Sequence, residues 1–222
     1  MSGVALALCT FCDTHGAKVV FATHDLGHGG QRQTAEPVTF CPGCKSLPAS
    51  KRFLISESRD ATWLSSNVED VEDVAAREDM TRVCSHLLAM ETREDEVIVF
   101  NPGMRYFSAV AGVNFRLKDS EYFRGFKRRY SLAFFALEPS EALEDSDALA
   151  TRLKAVREGL QAMAERNFVK KTGLSDEDLR RLRPTKPRKL QDLTNTDVYL
   201  MLHYQFIEIL MSRKIVKSTK FK

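Results

Sequence analysis

Residues 4–13, VALALCTFCD, carry apolar side chains on both alternating faces, the pattern of a central strand covered on both sides. Asp13-Thr14-His15-Gly16 is a turn signal, and residues 17–24, AKVVFATH, read as the returning strand of a hairpin. Residues from about 25 to 50 read as a loop insertion containing Gly27, Gly29 and Gly30, then Cys41-Pro42-Gly43-Cys44 and Pro48. The stretch from Phe53 to Ser65 is only weakly extended. Met80, Val83, Cys84, Leu87 and Leu88 recur at helical spacing within residues 71–91, with Asp and Glu on the other face. Val97–Phe100 predicts a short strand and a candidate sheet edge. Tyr106–Leu117 predicts a longer strand, with Phe107, Ala109, Ala111, Val113 and Phe115 to one side, and Tyr130–Leu137 a further one. Ser146 or Asp147 can cap an amphipathic helix whose apolar stripe is Leu149, Leu153, Val156, Leu160 and Met163. The last helix, 197–213, is apolar almost all round, which predicts burial in this domain or against a partner. These elements predict an α/β sandwich: a five-stranded, mainly antiparallel sheet with helices on both faces.

The length of 222 residues fits one large domain, here taken as residues 1–222, with the insertion at about 25–50 and a basic loop at about 170–192. No run approaches 18 apolar residues, so no transmembrane helix is expected. The first nine residues lack the basic start of an export signal, so the expectation is an intracellular chain with its five cysteines reduced. The net charge of +3 is too balanced to argue for nucleic acid. Arg180-Arg181-Leu182-Arg183 and the basic residues after it lack interleaved aromatics and read as a solvated loop. No Walker A, GxGxxG or GxSxG pattern is present, which disfavours an enzyme with its own nucleotide or nucleophile.

Two CxxC pairs, Cys9/Cys12 and Cys41/Cys44, can supply four thiolates to a tetrahedral zinc. Against this, residues three apart in a strand point to opposite faces, so Cys9 and Cys12 can share a metal only if the strand ends before them. Buried free cysteine is also a common small core residue. The expectation is therefore no cofactor, with zinc on Cys9, Cys12, Cys41 and Cys44 as the alternative. His24 and His28 lie near the CxxC loop, whereas His86 and His203 read as structural residues within helices.

Arg124-Gly125-Phe126-Lys127-Arg128-Arg129-Tyr130-Ser131 places three arginines between two predicted strands, among Tyr122, Phe123, Phe126 and Tyr130. Such an arginine can be presented to a partner's phosphate, or the stretch can be a basic surface turn.

Three stretches together resemble the N-terminal longin domain of the folliculin family. They are Val4 to Gly16, Cys41-Pro42-Gly43-Cys44-Lys45-Ser46-Leu47, and Lys118-Asp119-Ser120 leading into Arg124–Ser131. The likeness in order and layout covers nearly the whole chain, and the length resembles the short fungal folliculin-like form without a DENN domain. The resemblance implies a longin-type, profilin-like sandwich. It further implies a GTPase-activating subunit, not an enzyme with its own substrate, acting beside a folliculin-interacting longin-DENN protein. Together they would stimulate GTP hydrolysis by a RagC/RagD-type Rag GTPase in amino-acid signalling to the TOR kinase. The setting would be the cytoplasm, with recruitment through partners to the vacuolar or lysosomal membrane. Arg124 matches the family's arginine finger, with support from Phe126, Arg128 and Arg129; Arg129 stands where the family commonly has tryptophan. The rival functional class is a non-catalytic longin adaptor in membrane-associated signalling or trafficking. A zinc-ribbon protein binding nucleic acid is a further rival.

Overall fold

A computed structural model describes residues 4–12, 14–26, 41–48, 52–58, 61–71, 73–91, 93, 96–119, 127–139, 145–172 and 188–219. Their strands are β1 (Val4–Cys12), β2 (Gly16–Asp25), β3 (Phe53–Ser58), β4 (Ala61–Ser66), β5 (Val97–Phe100), β6 (Ala109–Lys118) and β7 (Lys127–Ala136). The helices are α1 (Val74–Ala89), α2 (Ser146–Thr172), α3 (Leu190–Leu193) and α4 (Val198–Thr219). One sheet holds all seven strands in the order β3-β4-β2-β1-β7-β6-β5, with every neighbour antiparallel. The sheet thus has seven strands, not the five expected. The difference is the weakly extended stretch, which folds into the β3–β4 hairpin and adds to β2 through β4. β3 is an edge strand, and five of its six residues, all but Leu54, are half-buried or exposed. It therefore lacks the continuous apolar run that marks β1.

The fully apolar pattern of β1 has the predicted cause, because helices cover both faces. On one face Leu6, Leu8, Ala111, Val113, Leu132 and Phe134 share a core with the apolar stripe of α2, which lies over β6, with Leu149, Leu153, Val156 and Leu160 all buried. α3 and α4 complete that layer through Leu190, Leu193, Leu202 and Phe206. On the other face Ala5, Ala7, Cys9, Val110, Ala133 and Phe135 meet Met80, Val83, Cys84 and Leu87 of α1. Phe107 belongs to this second core and not to the alternating face of β6, because β6 begins only at Ala109. A register shift at Leu8/Cys9 leaves Val20 as an extra residue in β2, so Val20 and Phe21 both reach the first core. Gly112 lets α1 lie close: a Cβ there would stand 2.6 Å from Leu87 Cδ2.

Asp73 caps α1, its carboxylate accepting from the Ala76 N–H at 3.0 Å. α2 already begins at Ser146, so Asp145 is the residue that precedes it. α4 buries Val198, Phe206 and Leu210 but leaves Leu200, Tyr204 and Met211 exposed, so it is less enclosed than its composition predicted. No helix among the described residues is long and apolar enough to cross a membrane.

Two buried histidines give the fold a pH limit. His203 lies between Ser56 Oγ, 2.9 Å from Nε2, and Ser65 Oγ, 2.6 Å from Nδ1. His24 is buried in β2. Burial pushes both imidazoles down to about 4. The unfolded chain then binds more protons below its ordinary histidine range, so this stability is complete above about pH 6.5 and is lost as pH falls toward 4. Between about pH 7 and 5 each histidine should cost on the order of 2 kcal/mol. Urea unfolding of the wild type and His203→Gln at both pH values checks this: the variant should lose less stability over that interval, and equal losses would contradict the assignment.

Candidate functional site

Two groups of chemistry-bearing side chains stand at one end of the sheet, where β1 ends, β2 begins, β6 ends and β7 begins. The first is made of Cys12, His15, Cys41 and Cys44, whose ligand atoms all lie within 4.8 Å of one another. β1 stops at Cys12, and the turn at Thr14–His15 brings His15 back over it. Cys12 Sγ and Cys44 Sγ each stand 3.6 Å from His15 Nδ1. Cys12 Sγ is 3.6 Å from Cys41 Sγ, which is 3.4 Å from Cys44 Sγ. The second pair is shaped by a single 3₁₀ turn, Pro42–Cys44, closed by the Cys44 N–H donating to the Cys41 carbonyl at 3.1 Å. That segment is anchored beyond the turn by Ser46, whose N–H and hydroxyl both donate to Asn67 Oδ1, and by Leu47 in the core.

The thiols share their protons unevenly. Burial raises Cys12, but hydrogen bonds from Cys44 and from the backbone N–H groups of Thr14 and His15 outweigh it and bring it to about 7. Burial and the neighbouring thiols push Cys44 well up. The cluster therefore favours a first thiolate at Cys12. All five cysteines are free.

These four residues can hold a metal, and they differ from the set that the CxxC spacing suggested. Cys9 is not among them. It lies in the opposite core under α1 with Cys84, as alternation along a strand requires. His15 takes its place, because the strand ends after Cys12 and not before Cys9. The signal was present as Cys-x-x-His in the turn, but the louder Cys-x-x-Cys obscured it. His24 pairs with Ala5 at the far end of the β1–β2 hairpin, away from the cluster. His28 lies outside the described residues.

The second group surrounds Asp119, the residue after β6. Its carboxylate is fully buried and paired on both oxygens: Arg128 Nη2 donates to Oδ2 at 3.0 Å and Arg188 Nη1 to Oδ1 at 3.1 Å. Arg128 Nη1 also donates to the Arg188 carbonyl at 2.8 Å, and Arg188 Nη2 to the Asp192 carbonyl at 2.8 Å. The network joins the end of β6, the start of β7 and the first turn of α3. Arg129 donates to the carbonyl of Met90 at the C-terminal end of α1, and burial followed by the nearby Arg116 lowers its pKa. Of the four residues predicted for the arginine-finger site, Arg128 and Arg129 are thus engaged within the fold. Arg124 and Phe126 lie outside the described residues, as does the basic stretch 173–187.

Comparison with known proteins adds one positive finding. The sequence model of a family described as folliculin, a vesicle coat protein involved in Golgi to plasma membrane transport, matches residues 64–213. The match runs from β4 into α4 and includes the segment between β6 and β7; it does not include Cys12, His15, Cys41 or Cys44. No curated protein matches the chain.

Proposed function

The chain belongs to the folliculin family, with about two thirds of its length matched, and from that premise we propose that it is a GTPase-activating subunit acting in trans. In this reading the domain is a longin domain that pairs with a folliculin-interacting longin-DENN protein. The pair stimulates GTP hydrolysis by a RagC/RagD-type Rag GTPase in amino-acid signalling to the TOR kinase, on the vacuolar or lysosomal membrane. The GTPase supplies nucleotide and magnesium, and this chain supplies Arg124 as an arginine finger.

The observation that carries the assignment is the buried network around Asp119. It fixes the chain on either side of residues 120–126, since Asp119 immediately precedes them and Arg128 lies two residues after them. Of the three arginines in the motif, Arg128 is buried in an ion pair and Arg129 is bonded to a helix end. That favours Arg124 as the one offered to a partner. A finger depends on such support, because the guanidinium must arrive in a fixed place to meet charge that develops only in the transition state. β5 supports the pairing half of the proposal: it is an edge of the sheet, four residues long, with backbone groups on its outer side that a partner strand can complete.

The second reading is a non-catalytic longin adaptor in membrane-associated trafficking, favoured by the family's description as a vesicle coat protein. Single-turnover GTP hydrolysis by Rag GTPases, with the chain alone, the partner alone and both, separates the two. The activator reading expects acceleration that requires this chain, whereas unchanged hydrolysis despite a stable complex would leave the adaptor.

A further inference from the structure

We propose that Cys12, His15, Cys41 and Cys44 form a closed structural zinc site that fastens the 41–48 segment to the β1–β2 turn. The claim is independent of the GTPase reading.

The argument is geometric. Tetrahedral zinc, with Zn–S of about 2.3 Å and Zn–N of about 2.1 Å, requires S···S edges of about 3.8 Å and S···N edges of about 3.6 Å. Of the six edges among these four donors, Cys12–Cys41 and Cys41–Cys44 are 3.6 and 3.4 Å, the two from His15 Nδ1 to Cys12 and Cys44 are both 3.6 Å, and the remaining two are within 4.8 Å. Four donors from two separate pieces of chain have therefore converged on one centre, with four of their six edges close to those the ion needs. Each piece supplies a pair three residues apart from a turn, the local shape that lets i and i+3 side chains face one centre. The donor chemistry agrees: three thiols and one imidazole form a Cys₃His set, which suits zinc and leaves no open position for a substrate. Binding releases one proton from each thiol as its sulfur takes up the ion, and no oxidant or reductant is involved.

The position gives the ion a task. The chain leaves β2 at Asp25, at the opposite end of the sheet, and residues 41–44 return it beside Cys12. Residues 41–48 are held at one end by the Ser46 bonds to Asn67 and the burial of Leu47, and at the other by this cluster. Zinc would close the loop at the same end of the sheet as the segment between β6 and β7.

Elemental analysis of the untagged full chain, after dialysis against metal-free buffer, should find about one zinc per chain. Cobalt(II) in place of zinc should show the intense d–d bands of tetrahedral coordination and sulfur-to-cobalt charge transfer. Cys41→Ser should lower bound zinc at least fivefold, Cys9→Ser should leave it unchanged, and His15→Cys should retain it. If Cys41→Ser does not fold, the cobalt spectrum of the wild type together with zinc retention in Cys9→Ser still decides. The proposal is overturned by a folded wild type that binds neither zinc nor cobalt, by an intact mass two hydrogens short from a Cys41–Cys44 disulfide, or by zinc that Cys9→Ser removes.

Discussion

Arg124→Ala should leave the complex with the longin-DENN partner and its GTPase assembled, yet slow stimulated hydrolysis by about 10²-fold or more. The reason lies in when the charge appears. Hydrolysing GTP builds negative charge at the β–γ bridge and the γ-phosphate, and a guanidinium that meets it only there raises rate without tightening ground-state binding. Loss of the finger should therefore appear in the catalytic rate and not in the affinity for the GTPase. Arg124→Lys should rescue little, because lysine keeps the charge but lacks the planar fork of donors. Arg128→Ala and Arg129→Ala are the contrasting cases. Arg128 lies in a buried ion pair and Arg129 holds the end of α1, so their loss should lower thermal stability before it touches turnover. Full stimulation by Arg124→Ala, with stimulation abolished by folded Arg129→Ala, would move the finger to Arg129.

Much of the architecture was legible because the cores speak through periodicity. The all-apolar β1 announced a strand covered on both faces, and the stripe of α2 announced the face that buries it. β5 was recognised with its observed bounds and as an edge. The β3–β4 hairpin was obscured by its position: an edge strand such as Phe53–Ser58 buries little, so its alternation is diluted by Ser and Glu. The cysteine–histidine cluster was half legible. Strand alternation correctly separated Cys9 from Cys12, but where the strand stops depends on pairing with β2 and β7, which the sequence does not display. With the strand ending at Cys12, the partner in the turn becomes His15. The clamp on Asp119 was not legible at all. Arg188 lies 69 residues beyond Asp119 and comes to it only because α3, which follows Arg188, packs with α2 and α4.

That clamp carries the largest expected effect on stability. Asp119 is a buried carboxylate whose two oxygens meet two guanidiniums, and both guanidiniums also reach backbone carbonyls. Such a pair adds little net stability over an apolar replacement of the same volume, but removing one member strands the other's charge. Asp119→Ala should therefore cost about 3–5 kcal/mol in urea unfolding, and Asp119→Asn most of that, because the amide fills the space but not the charge. Arg188→Ala should cost less than Arg128→Ala, since Arg128 is the more deeply enclosed of the two. The double variant Asp119→Leu/Arg128→Met should recover much of the loss, which distinguishes an unpaired charge from a cavity. High salt should not reproduce the effect, because a pair shut away from solvent is poorly screened. A cost for Asp119→Ala below about 1 kcal/mol, the range of exposed pairs, would show that the carboxylate is not held as described. The network would then no longer support Arg124 over its neighbours.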